Sequence, residues 1–276
     1  MGQVLFIVWR ESVEAMLVVG ILHAWMSQHG QQDGKRWLWG GVGAGLLLAG
    51  VLALGLFVAS AFFGTYQDVF QAGMVFAAAA LIVHMVLWMR EHGRTLKREL
   101  ESGLATQAER NNGWGILLLV ALAVAREGSE TVVFLYGTFS GSEGQTLPGL
   151  TLAGAAGFAL ALLTFWLLQL GRRHLSWALF FRITEIMLLL LAAALFTSGI
   201  DKLISMDILP ALLDPVWNSS ALLDDMTATG GVVSALTGYR AQPALMTLLA
   251  YGAYWLGVSG LILWRKRAAR ARLAAC

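Results

Sequence analysis

Six charged side chains, in two copies of one pattern, are the residues of this sequence best suited to chemistry: Arg10-Glu11-x-x-Glu14 within WRESVEAMLVVG (9–20) and Arg126-Glu127-x-x-Glu130 within AREGSETVVFLYG (125–137). On a helix turning about 100° per residue, the two glutamates of a copy stand about 60° apart, one turn from each other, and the arginine stands about 40° from the second glutamate. Each copy therefore puts its three side chains on one stripe. If the stripes face each other, Glu11, Glu14, Glu127 and Glu130 form a four-carboxylate cage with Arg10 and Arg126 at its edges.

Both copies lie inside long apolar runs, where an ionised carboxylate costs roughly 2.5–3.5 kcal/mol on insertion scales. Four carboxylates and two guanidinium groups carry a formal charge of −2, so a cation of charge two or three suits the cage. Without it, one or two of the crowded glutamates are expected to hold a proton. A buried Arg–Glu pair that only orders helix packing would explain two charges per copy and leave the second glutamate over. Oxygen ligands without cysteine argue against Cu(I) and suit Fe³⁺, Mn²⁺, Mg²⁺ or Ca²⁺, among which ligand chemistry alone does not choose.

The elements that position these residues are membrane helices. Of 276 residues, 58% are hydrophobic and 13% charged, a balance that a water-soluble domain does not have. Seven apolar runs of about 20 residues or more predict spans at 2–26, 37–63, 67–89, 113–139, 148–170, 178–200 and 243–264. Trp25, Trp37, Trp39, Trp88, Trp114, Trp177 and Trp264 fall near their ends, as expected of rings that prefer the headgroup layer. The fold expected is an all-α integral membrane protein forming a single membrane domain over 1–276, with an outer loop at 201–242 and a cytoplasmic tail at 265–276. The first run lacks a basic leader and carries the first motif, so it is expected to remain in the mature protein. Cys276 is the sole cysteine, which excludes an internal disulfide or a thiolate metal site.

Lys35 and Arg36, the stretch from Arg90 to Arg110, Arg172 and Arg173, and Arg265 to Arg272 occupy alternate loops, which puts the N-terminus outside and the C-terminus in the cytoplasm. The basic residues flank spans and need no nucleic-acid partner; they face the lipid bilayer. Segment 91–112 reads as a cytoplasmic linker with room for a helix, and Pro210 and Pro215 interrupt the acidic outer loop. The two motifs sit in the first and fourth spans, which run in opposite directions. The glycine-rich GGVGAGLLLAG (40–50) and PGLTLAGAAGF (148–158) of the following spans correspond loosely. Spans 1–3 and 4–6 are therefore expected to form an inverted repeat, with a seventh helix added and the site near the midplane at the repeat interface. Gly41 with Gly45, and more loosely Gly154 with Gly157, read as close helix contacts.

Two intramembrane Arg-Glu-x-x-Glu motifs, in the first and fourth of seven spans with the N-terminus outside, resemble the oxidase-dependent iron permease family, fungal and bacterial. The resemblance implies iron, as Fe³⁺ or Fe²⁺, as the transported substrate with no permanent cofactor. It implies Glu11, Glu14, Glu127 and Glu130 as iron-binding carboxylates, Arg10 and Arg126 as their supports, and a bacterial inner membrane setting. A ferroxidase or a periplasmic iron-handling protein is the partner it implies.

Asp68, at the outer start of the third span, and Glu185, just inside the sixth, are rough counterparts under the repeat and candidates for entry and exit. Each also has a structural reading: a charge favoured at a helix N-terminus for Asp68, and an i,i+3 pair with Arg182 for Glu185. His84 reads as a hydrogen-bonded packing residue, and His23 points away from the cage. Three alternatives remain: a carrier of manganese or another divalent ion, a membrane carboxylate-type di-iron oxidase, and a haem protein using His23 and His84. The oxidase would ordinarily need Glu-x-x-His pairs, which no span contains. No GxxxxGK[ST] loop is present either, so ATP hydrolysis by this chain is not expected.

Overall fold

The computed structural model describes residues 2–31, 34–62, 66–92, 95–109, 112–140, 147–170 and 177–274. Arg172, Arg173, His174 and Cys276 lie outside them. Among the described residues the regular structure is helical: α1 (Gly2–Gln28), α2 (Gly34–Phe62), α3 (Gln67–His92), α4 (Leu96–Glu109), α5 (Gly113–Ser140), α6 (Leu147–Leu170), α7 (Trp177–Ser205), α8 (Ala228–Thr237) and α9 (Leu245–Ala274). A helix satisfies its backbone hydrogen bonds internally, as a segment surrounded by hydrocarbon must.

Five of these, α2, α3, α6, α7 and α9, are long and apolar enough to cross a membrane. Helices α1 and α5, of 27 and 28 residues, carry the two charged motifs. The outward face of α2 exposes Leu46, Leu47, Val51, Leu54 and Phe57 in one continuous patch. Water would not tolerate a patch of that kind on a monomer, whereas lipid tails are as apolar as the patch itself. The fold is an all-α, multi-pass membrane fold.

Packing concentrates in two places. Ile7, Ile82, Phe134, Leu188, Leu191 and Leu195 draw α1, α3, α5 and α7 together. Leu22, Met26, Leu38, Leu104, Val120 and Val124 join α1, α2, α4 and α5. Helix α4 belongs to the second cluster through Leu104, which is fully buried, so the linker expected at 91–112 contains an amphipathic helix seated against the bundle. Two elements also run further than their hydropathy foretells. Helix α7 continues past 200 to Ser205, with Lys202 in its last turn, where a cation suits the helix dipole. Asp201 is held there by Arg240 at 2.9 Å and Thr247 at 2.6 Å, and Lys202 donates to Gln71 of α3 at 2.6 Å. Helix α9 carries the basic tail onward to Ala274.

Glycine sets the closest approaches. A Cβ at Gly41 would lie 2.7 Å from the Leu117 carbonyl oxygen, and one at Gly45 would lie 2.7 Å from Val124 Cβ and 2.9 Å from the Ala121 carbonyl oxygen. Four residues along α2 thus match four along α5 in the same sense, so the two helices run parallel. Helix α6 repeats the contact on α1: a Cβ at Gly157 would lie 2.6 Å from the Leu5 carbonyl oxygen and 3.2 Å from Val8 Cβ. Gly154, expected to share that contact, faces open space instead. The short helix α8 closes one end of the bundle. Thr227 caps its N-terminus by accepting from Gly230, and Gly238 ends it at φ 76°. A Cβ at Gly238 would also stand 3.1 Å from Ala194 Cα, so position and conformation both call for glycine.

Candidate metal centre

Helix α1 brings Glu11 and Glu14, and α5 brings Glu127, to one point between the two helices. One carboxylate oxygen from each lies within 4.8 Å of the others. Glu11 and Glu127 are buried and Glu14 is nearly so. The one-stripe arithmetic puts the glutamates of each motif on one side of its helix, and in the structure those sides of α1 and α5 meet.

The fourth glutamate stands at the edge. Glu130 Oε1 accepts from Arg126 Nε at 3.2 Å, while Glu130 Oε2 is buried with no hydrogen-bond partner among the described residues. Glu11 Oε2 is likewise buried and unpartnered. Buried carboxylate oxygens with unspent acceptor capacity are costly unless something positive meets them. Converging carboxylates, some with such oxygens, are the donor set of a hard cation of charge two or three.

The two arginines are not equivalent, although the sequence treats them alike. Arg10 is 1% exposed and grips both glutamates of its own motif: Nη1 meets Glu11 Oε1 at 2.5 Å, and Nη2 pairs with Glu14 Oε1. The same Nη2 points at two thioethers of α3, Met85 Sδ at 2.9 Å and Met89 Sδ at 3.0 Å. Arg126 is 40% exposed, pairs with Glu130, and lies over the indole of Trp88 with its guanidinium carbon 3.9 Å from the ring centroid. Expected at the edges of the cage together, Arg10 is inside it and Arg126 is at its rim.

Helix α3 is thus a third wall, which reading the motifs did not reveal. Met85, Trp88 and Met89 stand at i, i+3 and i+4, a spacing that puts them on one face, but methionine and tryptophan in a span read equally well as filler and headgroup anchor.

Glu185 pairs with Arg90 across the α3–α7 contact, not with Arg182 one turn earlier on its own helix. A cross-helix partner fixes two spans relative to each other, which an i,i+3 pair does not. Asp68 is exposed in the first turn of α3. His84, expected to be packed, is exposed on α3, and His23 is half-buried on α1. Neither joins the carboxylate group.

The chain matches the model of the Iron permease FTR1 family over residues 1–273. It is 29% identical over 257 residues to the ferrous iron permease EfeU of Escherichia coli O6:H1, covering 90% of each chain. It is also 29% identical to the EfeU of Shigella sonnei, again over 90% of each, and 28% identical to that of Yersinia pestis, over 90% of this chain and 88% of the relative. No solved structure matches. The family match spans nearly the whole length, both motif helices included, and on it the chain belongs to the Iron permease FTR1 family.

Proposed function

We propose that this protein carries iron inward across a bacterial cytoplasmic membrane, taking the ion between Glu11, Glu14, Glu127 and Glu130, with Arg10 and Arg126 as the counter-charges. The observation that carries the reading is the meeting of Glu11, Glu14 and Glu127, from two motifs 116 positions apart, within 4.8 Å of one another. It is a transporter and not an enzyme, and iron is its cargo. Relatives bearing the name ferrous iron permease favour Fe²⁺ over Fe³⁺ as the form that crosses.

The topology proposed is seven spans, α1, α2, α3, α5, α6, α7 and α9, in a single permease domain, with the first six as an inverted repeat. Glycine packing supports it: shifting Leu5 and Val8, the residues beneath Gly157, by the offset between Arg10 and Arg126 gives Ala121 and Val124, the residues beneath Gly45. The parallel course of α2 and α5 requires an even number of crossings from one to the other, which α3 and α5 supply if α4 lies along the membrane without crossing it. The charged loops then put the N-terminus outside and the C-terminus in the cytoplasm. A ferroxidase or a periplasmic iron-handling protein would deliver the ion.

The test is radiolabelled iron uptake in cells lacking their own high-affinity iron import, comparing wild type with Glu14→Gln and Glu130→Gln, each quantified in the membrane. Wild type is expected to import and both variants to fail; equal import by all three would remove the physical basis of the site. Asp68 and Glu185 serve as outer and inner waystations in this scheme. Glu185→Gln is expected to lower Vmax severalfold with KM for iron unchanged, because it acts after the ion has left the cage. A raised KM with unchanged Vmax in the same uptake assay would remove Glu185 from the exit path.

A further inference from the structure

An ion that enters the cage must take carboxylate oxygens away from arginine. Each guanidinium has five N–H donors and does not lose its proton, so donors released from a carboxylate need another partner, most of all at Arg10, which is enclosed by protein. The structure shows where each one already leans. Arg10 Nη2 contacts Met85 Sδ and Met89 Sδ, and Arg126 lies on the face of Trp88. All three belong to one face of α3.

We infer that Met85, Trp88 and Met89 form a guanidinium cradle that receives Arg10 and Arg126 as iron takes over their carboxylates. The inference rests on the carboxylate transport site and names positioning residues for it. Thioether sulfur is a weak, polarizable acceptor and an indole face attracts a cation through its quadrupole. Neither draws an arginine from a carboxylate when no ion is present, yet each gives it a partner when one is. Both are neutral, so the cage keeps its formal charge of −2 to offer the incoming cation. An aspartate or glutamate at these positions would hold the arginines more firmly but would also compete for the metal. The shared Nη2 of Arg10, touching Glu14 and both sulfurs at once, has only to rotate within its contacts to move from one partner to the other.

Removing the cradle leaves each arginine with the carboxylates as its only strong partner, so the arginines compete harder against iron. Trp88→Leu, and separately Met85→Leu with Met89→Leu, are expected to raise the KM for iron uptake roughly three- to thirtyfold, with Vmax per membrane-resident protein within about twofold of wild type. Trp88→Phe keeps an aromatic face and is expected to hold KM near the wild-type value. A purely packing role would instead lower the amount of protein and leave KM alone. A Trp88→Leu protein with wild-type KM, or a Trp88→Phe protein as impaired as Trp88→Leu, would overturn the inference. Glu14→Gln measured alongside separates the two readings. If it is inactive while the α3 variants keep wild-type KM, the cradle alone falls; if it imports normally, the carboxylate site falls and the cradle with it.

Discussion

Arg10→Gln is expected to abolish iron uptake and to deplete the protein from the membrane, whereas Arg126→Gln accumulates normally and loses roughly tenfold in uptake. The two substitutions remove the same group from the same motif, and the difference lies in what each leaves behind. Arg10 is fully enclosed and is the counter-charge for both Glu11 and Glu14. Its loss strands two largely buried carboxylates without their counter-charge and takes the cage from −2 to −3. Breaking a buried pair from one side costs about 3–5 kcal/mol, enough to unfold a marginal protein. Arg126 is partly exposed, pairs with Glu130 at 3.2 Å, and shares its charge with Trp88. Its removal weakens positioning without stranding a buried pair of like charges. Immunoblotting of membranes beside the uptake assay checks both halves. Equal effects of the two variants, or a milder effect at Arg10, would show that the enclosure of Arg10 carries no energetic weight.

Much of this was legible in the residues because lipid simplifies the problem. An apolar run in a bilayer has one way to satisfy its backbone, so the expected span at 113–139 becomes α5 at Gly113–Ser140, started by Asn112, whose side chain accepts from Gly115 N at 3.1 Å. The convergence of Glu11, Glu14 and Glu127 followed from helix geometry and a repeated motif, which together say both which face and which helices. The rest depended on information that a single helix does not carry. Nothing within α1 or α5 distinguishes Arg10 from Arg126; the distinction comes from α3, which presents two sulfurs to one and an indole to the other. Hydropathy is also silent about polar helices. The charges of α4 left room for a helix without showing that it packs on the bundle, although Leu100 and Leu104, at i,i+4 spacing, mark the face it buries. The extension of α7 through Asp201 and Lys202 was invisible for a related reason: those charges read as loop until Arg240, Thr247 and Gln71 are seen to hold them.

Gly45→Val and Gly157→Val are each expected to lower the unfolding temperature by several degrees and to cut iron uptake severalfold, while Gly43→Val and Gly154→Val leave folding and uptake at wild-type levels. All four are glycines on apolar helices, and a rule that counts small residues predicts similar outcomes. The space around them differs. At Gly45 even the first added carbon would sit 2.7 Å from Val124 Cβ and 2.9 Å from a backbone oxygen of α5, and at Gly157 it would sit 2.6 Å from a backbone oxygen of α1. A backbone oxygen cannot turn aside as the end of a side chain can, so the helices must separate. Overpacking of this kind costs about 1–3 kcal/mol or more. The displacement falls where the protein tolerates it least, since Val124 and Val8 each stand two residues before the arginine of a motif. Pushing α2 off α5, or α6 off α1, also moves a stripe of carboxylates whose arrangement depends on contacts of 2.5–3.2 Å. At Gly43 and Gly154 nothing lies within 4 Å, and the added methyls would project into lipid. Thermal unfolding of the purified proteins in detergent, read beside iron uptake, decides the matter. If Gly45→Val unfolds as wild type does and transports iron, the α2–α5 seam does not position the site; if Gly154→Val is as damaging as Gly157→Val, a partner outside the described residues covers that face of α6.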